Sequence, residues 1–344
     1  MTNLRPPLCQ HSRRRSVGMG RAVPGRYKRT PQASQWIALA TAAALLAIVP
    51  APAAQPNRTC AIDMGSNTFR RIVASFDRGR YTPISLDKKA LGVGDDVTKH
   101  GRVSDAKLAE IDATLKEFKA ACDKDGLPEV VAVGTAAFRD AANGARVAGI
   151  AAEHQIDMEI ATPERESALA YLVGSLGEDG LAVIDNGSRT IELVAQQGGE
   201  RRHSVSNLGY RVAYEQFFAS AKDISTAVAR FRHVIEEEAA RAPFMRGRKK
   251  LVGVEFGDLI EVLFEKGAVD GRVLSINDLK GKLADLTRLD ESGFAELKLR
   301  KDIDRALPRL VAATVFAEML GYDAMELTDR ELGAGLVIEA GQRR

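Results

Sequence analysis

The stretch Cys60-Ala61-Ile62-Asp63-Met64-Gly65-Ser66-Asn67-Thr68-Phe69-Arg70 decides how this chain is read. Its apolar start runs into an acid, a glycine and short polar residues, and a second apolar run, Ile72 to Phe76, follows at once. The pattern predicts two strands joined by a tight turn. Successive backbone N–H groups in such a turn can converge on an anion, and Gly65 allows close approach. Asp63 closes the first strand and stands beside whatever binds there. Taken alone, the stretch fits equally well a plain hairpin whose acid has a local partner.

The same theme returns 122 positions later: Leu181-Ala182-Val183-Ile184-Asp185-Asn186-Gly187-Ser188-Arg189-Thr190-Ile191-Glu192-Leu193-Val194 is again strand, acid, glycine turn and strand. The repeat suggests two related halves that face one another. Between the copies, Tyr81 to Leu86 reads as a third strand. Ser104 caps an amphipathic helix carrying Leu108, Ile111, Leu115, Phe118 and Cys122. A short buried strand, Glu129 to Val133, runs into Gly134-Thr135-Ala136-Ala137-Phe138-Arg139-Asp140. A further strand, Met158 to Ala161, leads to Thr162-Pro163-Glu164-Arg165-Glu166, where Thr162 and Pro163 mark a helix start. The second half is mostly helical, with a strand at Lys250 to Phe256 and a strongly apolar helix at Leu310 to Leu320. A last strand, Met325 to Thr328, precedes a last helix, Leu332 to Ala340. Gly333 and Gly335 weaken that helix unless something packs closely against it.

The 344 residues carry a formal net charge of +3, but the charge is unevenly spread. Residues 1–54 hold eight Lys or Arg and no acid, so the remainder carries 41 basic and 46 acidic residues, a net of −5. A mildly acidic body does not indicate a nucleic-acid surface. The basic leader, the apolar run Trp36 to Val49 and the small residues Pro50-Ala51-Pro52-Ala53-Ala54 read as an export signal cleaved near Ala54. The apolar run is short for a membrane span, so no stable span is expected in the mature form, an uncleaved anchor being the alternative. The exported protein is periplasmic if the source is Gram-negative. Cys60 and Cys122 fall in apolar settings and read as two buried thiols, although two cysteines in an exported protein can also pair.

Taken together, the motifs resemble the exopolyphosphatase and guanosine pentaphosphate phosphohydrolase (Ppx/GppA) family of the actin, sugar-kinase and Hsp70 superfamily. The resemblance rests on Ala61 to Arg70, on Gly134 to Ala141 with Asn143, and on Thr162 to Glu166 with Tyr171-Leu172, in that order and spacing. It implies an α/β fold of two ribonuclease-H-like domains with an interdomain cleft. The division expected is 1–54 signal peptide, 58–135 plus 325–344 first domain, and 136–324 second domain with helical additions.

The resemblance also implies an activity. The chain is expected to release terminal phosphate from polyphosphate or a related phosphoanhydride by metal-assisted attack of water. Glu166, with Glu164 close behind, is the expected catalytic base. Gly65, Ser66, Asn67, Arg139, Gly187, Ser188 and Arg189 are the expected phosphate ligands, and Asp63 and Asp185 the expected holders of Mg²⁺. Glu192 matches a family glutamate near the second loop. The expected partner is polyphosphate or another phosphoanhydride, not nucleic acid, and a homodimer is allowed. There are departures. The second loop, Asp185 to Ile191, has lost two of three family glycines. Ala90 stands where the family has an arginine, Glu255-Phe256-Gly257-Asp258 where a Gly-Gly-Thr turn is usual, and Gly333-Ala334 where an Arg-Glu pair is usual. The alternative reading is therefore a catalytically impaired relative that binds a phosphorylated ligand or a protein partner.

Overall fold

The computed structural model describes residues 57–264 and 270–343. The expected signal segment lies outside them. The first half contains β1 (Arg58–Met64), β2 (Thr68–Asp77), β3 (Arg80–Ala90), helices α1 (Val93–His100) and α2 (Asp105–Lys124), β4 (Val130–Gly134), α3 (Ala136–Asp140), α4 (Ala145–Glu153), β5 (Ile156–Ile160) and α5 (Pro163–Ser175). The second half contains β6 (Ala182–Asn186), β7 (Ile191–Gln197), β8 (Glu200–Ser206), α6 (Tyr210–Ala213), α7 (Ile224–Arg241), β9 (Leu251–Val254), α8 (Gly257–Leu263), β10 (Arg272–Ser275), α9 (Ile276–Thr287), α10 (Glu291–Lys298), α11 (Ile303–Leu320), β11 (Ala324–Thr328) and α12 (Gly333–Gln342).

The strands form two sheets of matching plan, β3-β2-β1-β4-β5 and β10-β11-β9-β6-β7-β8. In each, an antiparallel meander (β1-β2-β3 or β6-β7-β8) is extended by parallel strands beside its first member. The sequence repeat is therefore a structural one. Asp63 faces Arg70 across the first hairpin, and Asp185 faces Glu192 at the equivalent place in the second. The same position carries opposite charge in the two halves.

Two corrections to the expected division follow from strand pairing. β5 hydrogen-bonds to β4, so the first sheet continues to Ile160 and does not end at residue 135. β11 pairs with β9 and β10, so residues 324–328 belong to the second sheet, and α12 alone returns to the first. A parallel strand finds its place through the crossover helix before it, which hydrophobic patterning does not reveal.

Each sheet is covered on both faces. Apolar residues of α2 and α4 pack with Cys60, Ile62, Met64, Phe69 and Val73 on one face of the first sheet. Residues of α7 to α11 cover one face of the second. The remaining faces meet α5 and α12. Leu169 and Ala170 of α5 pack on the first sheet, whereas Tyr171 and Val173 pack on the second. A Cβ on Gly335 would lie 3.0 Å from the Leu169 carbonyl oxygen, and one on Gly333 3.0 Å from the Asp63 Cβ. The two helix-weakening glycines are thus what lets α12 lie against α5 and β1. Cys60 and Cys122, read as separate thiols, form a disulfide between β1 and α2, with Cα atoms 6.1 Å apart. The sheet-facing side of the amphipathic helix brings the second sulfur onto the strand.

Candidate active site

The two hairpin turns face one another across a cavity of about 60 Å³ lined by Asp63, Ser66, Glu166, Asp185, Ser188 and Glu192, among others. The loop carbonyls are tied back. Gly94 N–H donates to the Ser66 oxygen (2.6 Å), and Leu91 and Gly92 N–H to the Asn67 oxygen (2.8 and 2.9 Å). In the second loop Tyr210 N–H donates to the Gly187 oxygen (2.9 Å) and Arg211 N–H to the Ser188 oxygen (3.1 Å). Because a peptide N–H points opposite to its C=O, the N–H groups of Asn67, Ser188 and Arg189 face the other way. Gly65 plays a different part from the one expected. Its N–H closes the turn onto the Thr68 oxygen at 3.2 Å, so it supplies compactness to the cradle and not a donor.

Glu166 stands in the first turns of α5, where the helix N-terminus favours negative charge, and its side chain is buried toward the cavity. Arg139 donates to it at 3.0 Å and to the Ala161 oxygen at 2.7 Å. Burial nevertheless raises the Glu166 pKa from its ordinary value, with Arg139 opposing. The neighbouring turn of α5 is held by Arg165, whose fork meets both Glu339 oxygens at 2.9 Å and anchors the helix to α12. Glu164 lies about 200° round the helix from Glu166. It is exposed, with His203 3.7 Å away, and does not line the cavity.

The carboxylates outnumber their partners. Burial raises Asp63 to about 7, with Arg70 at 3.3 Å opposing. Burial also lifts Asp185 and Glu192 well above their ordinary values, helped by neighbouring acids. Asp185 Oδ1 and Glu192 Oε1 are buried without a hydrogen-bond partner. Such atoms in a polar cleft fit a cation that brings its own water. Among the described residues no three acid, His or Cys side chains form a metal cage. Mg²⁺ suits this arrangement, since it takes one or two carboxylates and completes its shell with water and phosphate oxygens.

The Ppx/GppA phosphatase family profile matches residues 72–340. The chain belongs to the Ppx/GppA phosphatase family. Exopolyphosphatase 1 of Mycobacterium tuberculosis is 25% identical over 300 residues, covering 80% of this chain and 86% of that protein. The Mycobacterium leprae protein of the same name is 24% identical over 80% of this chain and 87% of its own length. Among solved structures, the Aquifex aeolicus Ppx/GppA family member superposes with a TM-score of 0.71 at 23% identity, covering 83% of this chain and 98% of that one. An exopolyphosphatase from Cytophaga hutchinsonii gives 0.66 at 20% identity, over 83% and 98%. The fold is the expected actin-like pair of ribonuclease-H-like domains.

Within this Ppx/GppA site, several residues sit differently from expectation. Arg139 backs Glu166 and does not line the cavity. Arg189 lines it but reaches across to the first half, donating to Thr98 Oγ1 at 2.9 Å, with Asp140 at 3.4 Å. The lost glycines of the second loop leave no strained backbone, because neither Ser188 nor Arg189 has a positive φ. Gly209 compensates: a Cβ there would lie 2.5 Å from the Arg189 backbone.

Three residues of the site received no role from the sequence. Arg70 meets Asp63 at 3.3 Å, Glu255 at 3.4 Å and Glu331 at 3.5 Å. Arg309 is buried, donates to the Asn186 backbone oxygen at 2.7 Å and stacks 4.4 Å from the Tyr210 ring centre. Glu255 lies between these two arginines. Arg309 received no such role because it stands one residue before the apolar run Leu310 to Leu320, where an arginine is ordinarily exposed; the helix α11 begins earlier and buries it.

Proposed function

We propose that this Ppx/GppA protein is a hydrolase that removes the terminal phosphate from polyphosphate or a related phosphoanhydride. The observation that carries the reading is Glu166: a buried carboxylate held by Arg139 at a helix start, facing two opposed turns. The N–H groups of Asn67, Ser188 and Arg189 bind the terminal phosphoryl oxygens. Glu166 accepts a proton from a water molecule lined up with the terminal phosphorus. The water oxygen bonds to phosphorus, the bond to the bridging oxygen breaks, and that oxygen leaves with the shortened chain. Asp63 and Asp185, with Glu192 beside Asp185, are the residues that would hold Mg²⁺. Mg²⁺ there would neutralise phosphate charge and polarise the phosphoryl oxygens.

A second reading, a relative that binds phosphorylated ligands or a protein partner without turnover, is favoured by one observation. Arg70 is already shared among three carboxylates. Phosphate release from tripolyphosphate with Mg²⁺ separates the two readings. Hydrolysis predicts metal-dependent release that falls by roughly 100-fold or more in Glu166→Gln, while Glu164→Gln stays near wild type. Release no greater than that of Glu166→Gln would leave the binding reading.

Export is part of the proposal. The Cys60–Cys122 disulfide supports an oxidising compartment, and among the described residues no helix is long and apolar enough to cross a membrane. N-terminal sequencing of the secreted protein should begin near Gln55, and an intact leader on it would count against cleavage.

A further inference from the structure

We propose that Glu255 limits how many phosphate groups the cleft admits, by standing as an internal anion at its rear wall. The proposal rests on the phosphoanhydride reading above and adds a residue that sets substrate length. Behind the central cavity lies a second one of about 170 Å³, and the two share Arg70, Tyr210 and Glu255 as lining. Glu255 is thus part of a partition.

Its carboxylate is placed as a ligand would be. Oε1 is 3.4 Å from Arg70 Nη1, an arginine of the first sheet, and Oε2 is 3.9 Å from Arg309 Nη2, on a helix of the second half. A guanidinium binds carboxylate and phosphate oxygens through the same fork, so the seat that Glu255 fills is one a phosphate can fill. The backbone at Glu255 has φ of 61°, a left-handed conformation that side chains other than glycine and asparagine seldom adopt. Strain of this kind persists where the surroundings enforce it, and it concentrates at binding sites. Here it aims an acid between two arginines. Beyond the partition, the rear cavity is lined by Lys88, Arg305 and Arg309 and by five further acids, so acids outnumber cations there and Glu255 is the first of a series that a lengthening phosphate chain would meet. The acids Asp258 and Glu331 pair with Arg309 and Lys88 there.

The test is calorimetric titration of the whole chain with imidodiphosphate and with diimidotriphosphate, both resistant to hydrolysis, in the presence of Mg²⁺. Wild type should bind the two with affinities within about threefold of each other. Glu255→Gly removes the carboxylate and suits the backbone, and should tighten the triphosphate analogue by roughly 10-fold or more relative to the diphosphate analogue. Glu255→Gln, which keeps the wall and loses the charge, should show a smaller gain in the same ratio. A general loosening of the fold would weaken both ligands together and leave the ratio unmoved. Diphosphate binding in all three proteins with an unchanged ratio overturns the proposal and leaves the phosphoanhydride reading standing. Binding of neither analogue by any of the three overturns both. If Glu255→Gly does not fold, the ratio in Glu255→Gln decides in the same sense.

Discussion

Arg139 shows how a single side chain can be placed correctly and still act on a different target. It sits beside the cleft, as a phosphate ligand should, but its guanidinium is spent on Glu166 and the Ala161 carbonyl. Its charge opposes the burial that raises Glu166. Arg139→Gln should therefore push the Glu166 pKa higher still, and the acidic limb of the kcat/KM profile should move to higher pH. A uniform loss of rate with an unmoved limb would show that Arg139 acts elsewhere. Asn186 makes the opposite point. It is fully buried and both its amide atoms lack a partner. An unsatisfied buried amide costs about 1–3 kcal/mol, so Asn186→Leu, which keeps the branched skeleton of the amide, should raise the melting temperature by roughly 2–10 °C, less whatever its larger volume costs in this fully buried place. A drop would mean that the amide has a partner, such as bound water. Residue identities at the first turn were legible because an acid followed by glycine is a local pattern. The partners of Arg70 were not, since Glu255 and Glu331 arrive from the far end of the chain.

Among elements, the turns depend on segments that follow the third strand of each meander. Leu91-Gly92-Val93-Gly94 ties back the first turn and Gly209-Tyr210-Arg211 the second. The second turn lost glycines without acquiring a positive φ, because the space it needs is supplied by Gly209. Gly209→Ala would set a methyl group 2.5 Å from the Arg189 backbone, and no side-chain rotation can relieve that contact. It should cost about 1–3 kcal/mol and reduce phosphate binding more than stability alone explains. Calorimetry on the folded variant checks this, and unaltered phosphate affinity would refute it. Strands and helices were readable from periodicity, and the two-halves architecture from the 122-residue repeat. Sheet membership of β5 and β11 was not, because both are parallel strands placed by the helices before them. The disulfide was hidden for a related reason: a strand and a helix 62 residues apart must pack before their sulfurs can meet.

The molecule gathers four buried carboxylates with raised pKa values, Asp63, Glu166, Asp185 and Glu192, around one cavity. A carboxyl whose pKa is higher in the folded chain than in the unfolded chain binds its proton more tightly when folded. Protonation then favours folding, and the stability it brings is lost as pH rises through the folded value. For Asp63 that window runs from 3.8 to about 7, and the other three act in the same direction. Carboxylates lowered by their partners, such as Asp96, Glu318 and Glu339, act in the opposite sense but below the ordinary carboxylate range. Between about pH 5 and 8 the raised set dominates. In EDTA the melting temperature should therefore fall across that range, and Glu192→Gln, which removes one raised acid while keeping its shape, should flatten the slope and raise the melting temperature at pH 8. Added Mg²⁺ should restore stability at pH 8 more than at pH 5, because a cation replaces the missing protons and binds the folded chain. A melting temperature that is flat or rising from pH 5 to 8 in EDTA would show that these acids are compensated within the protein. The cleft would then have no electrostatic need for a metal, and the case for metal-assisted hydrolysis would lose its physical ground.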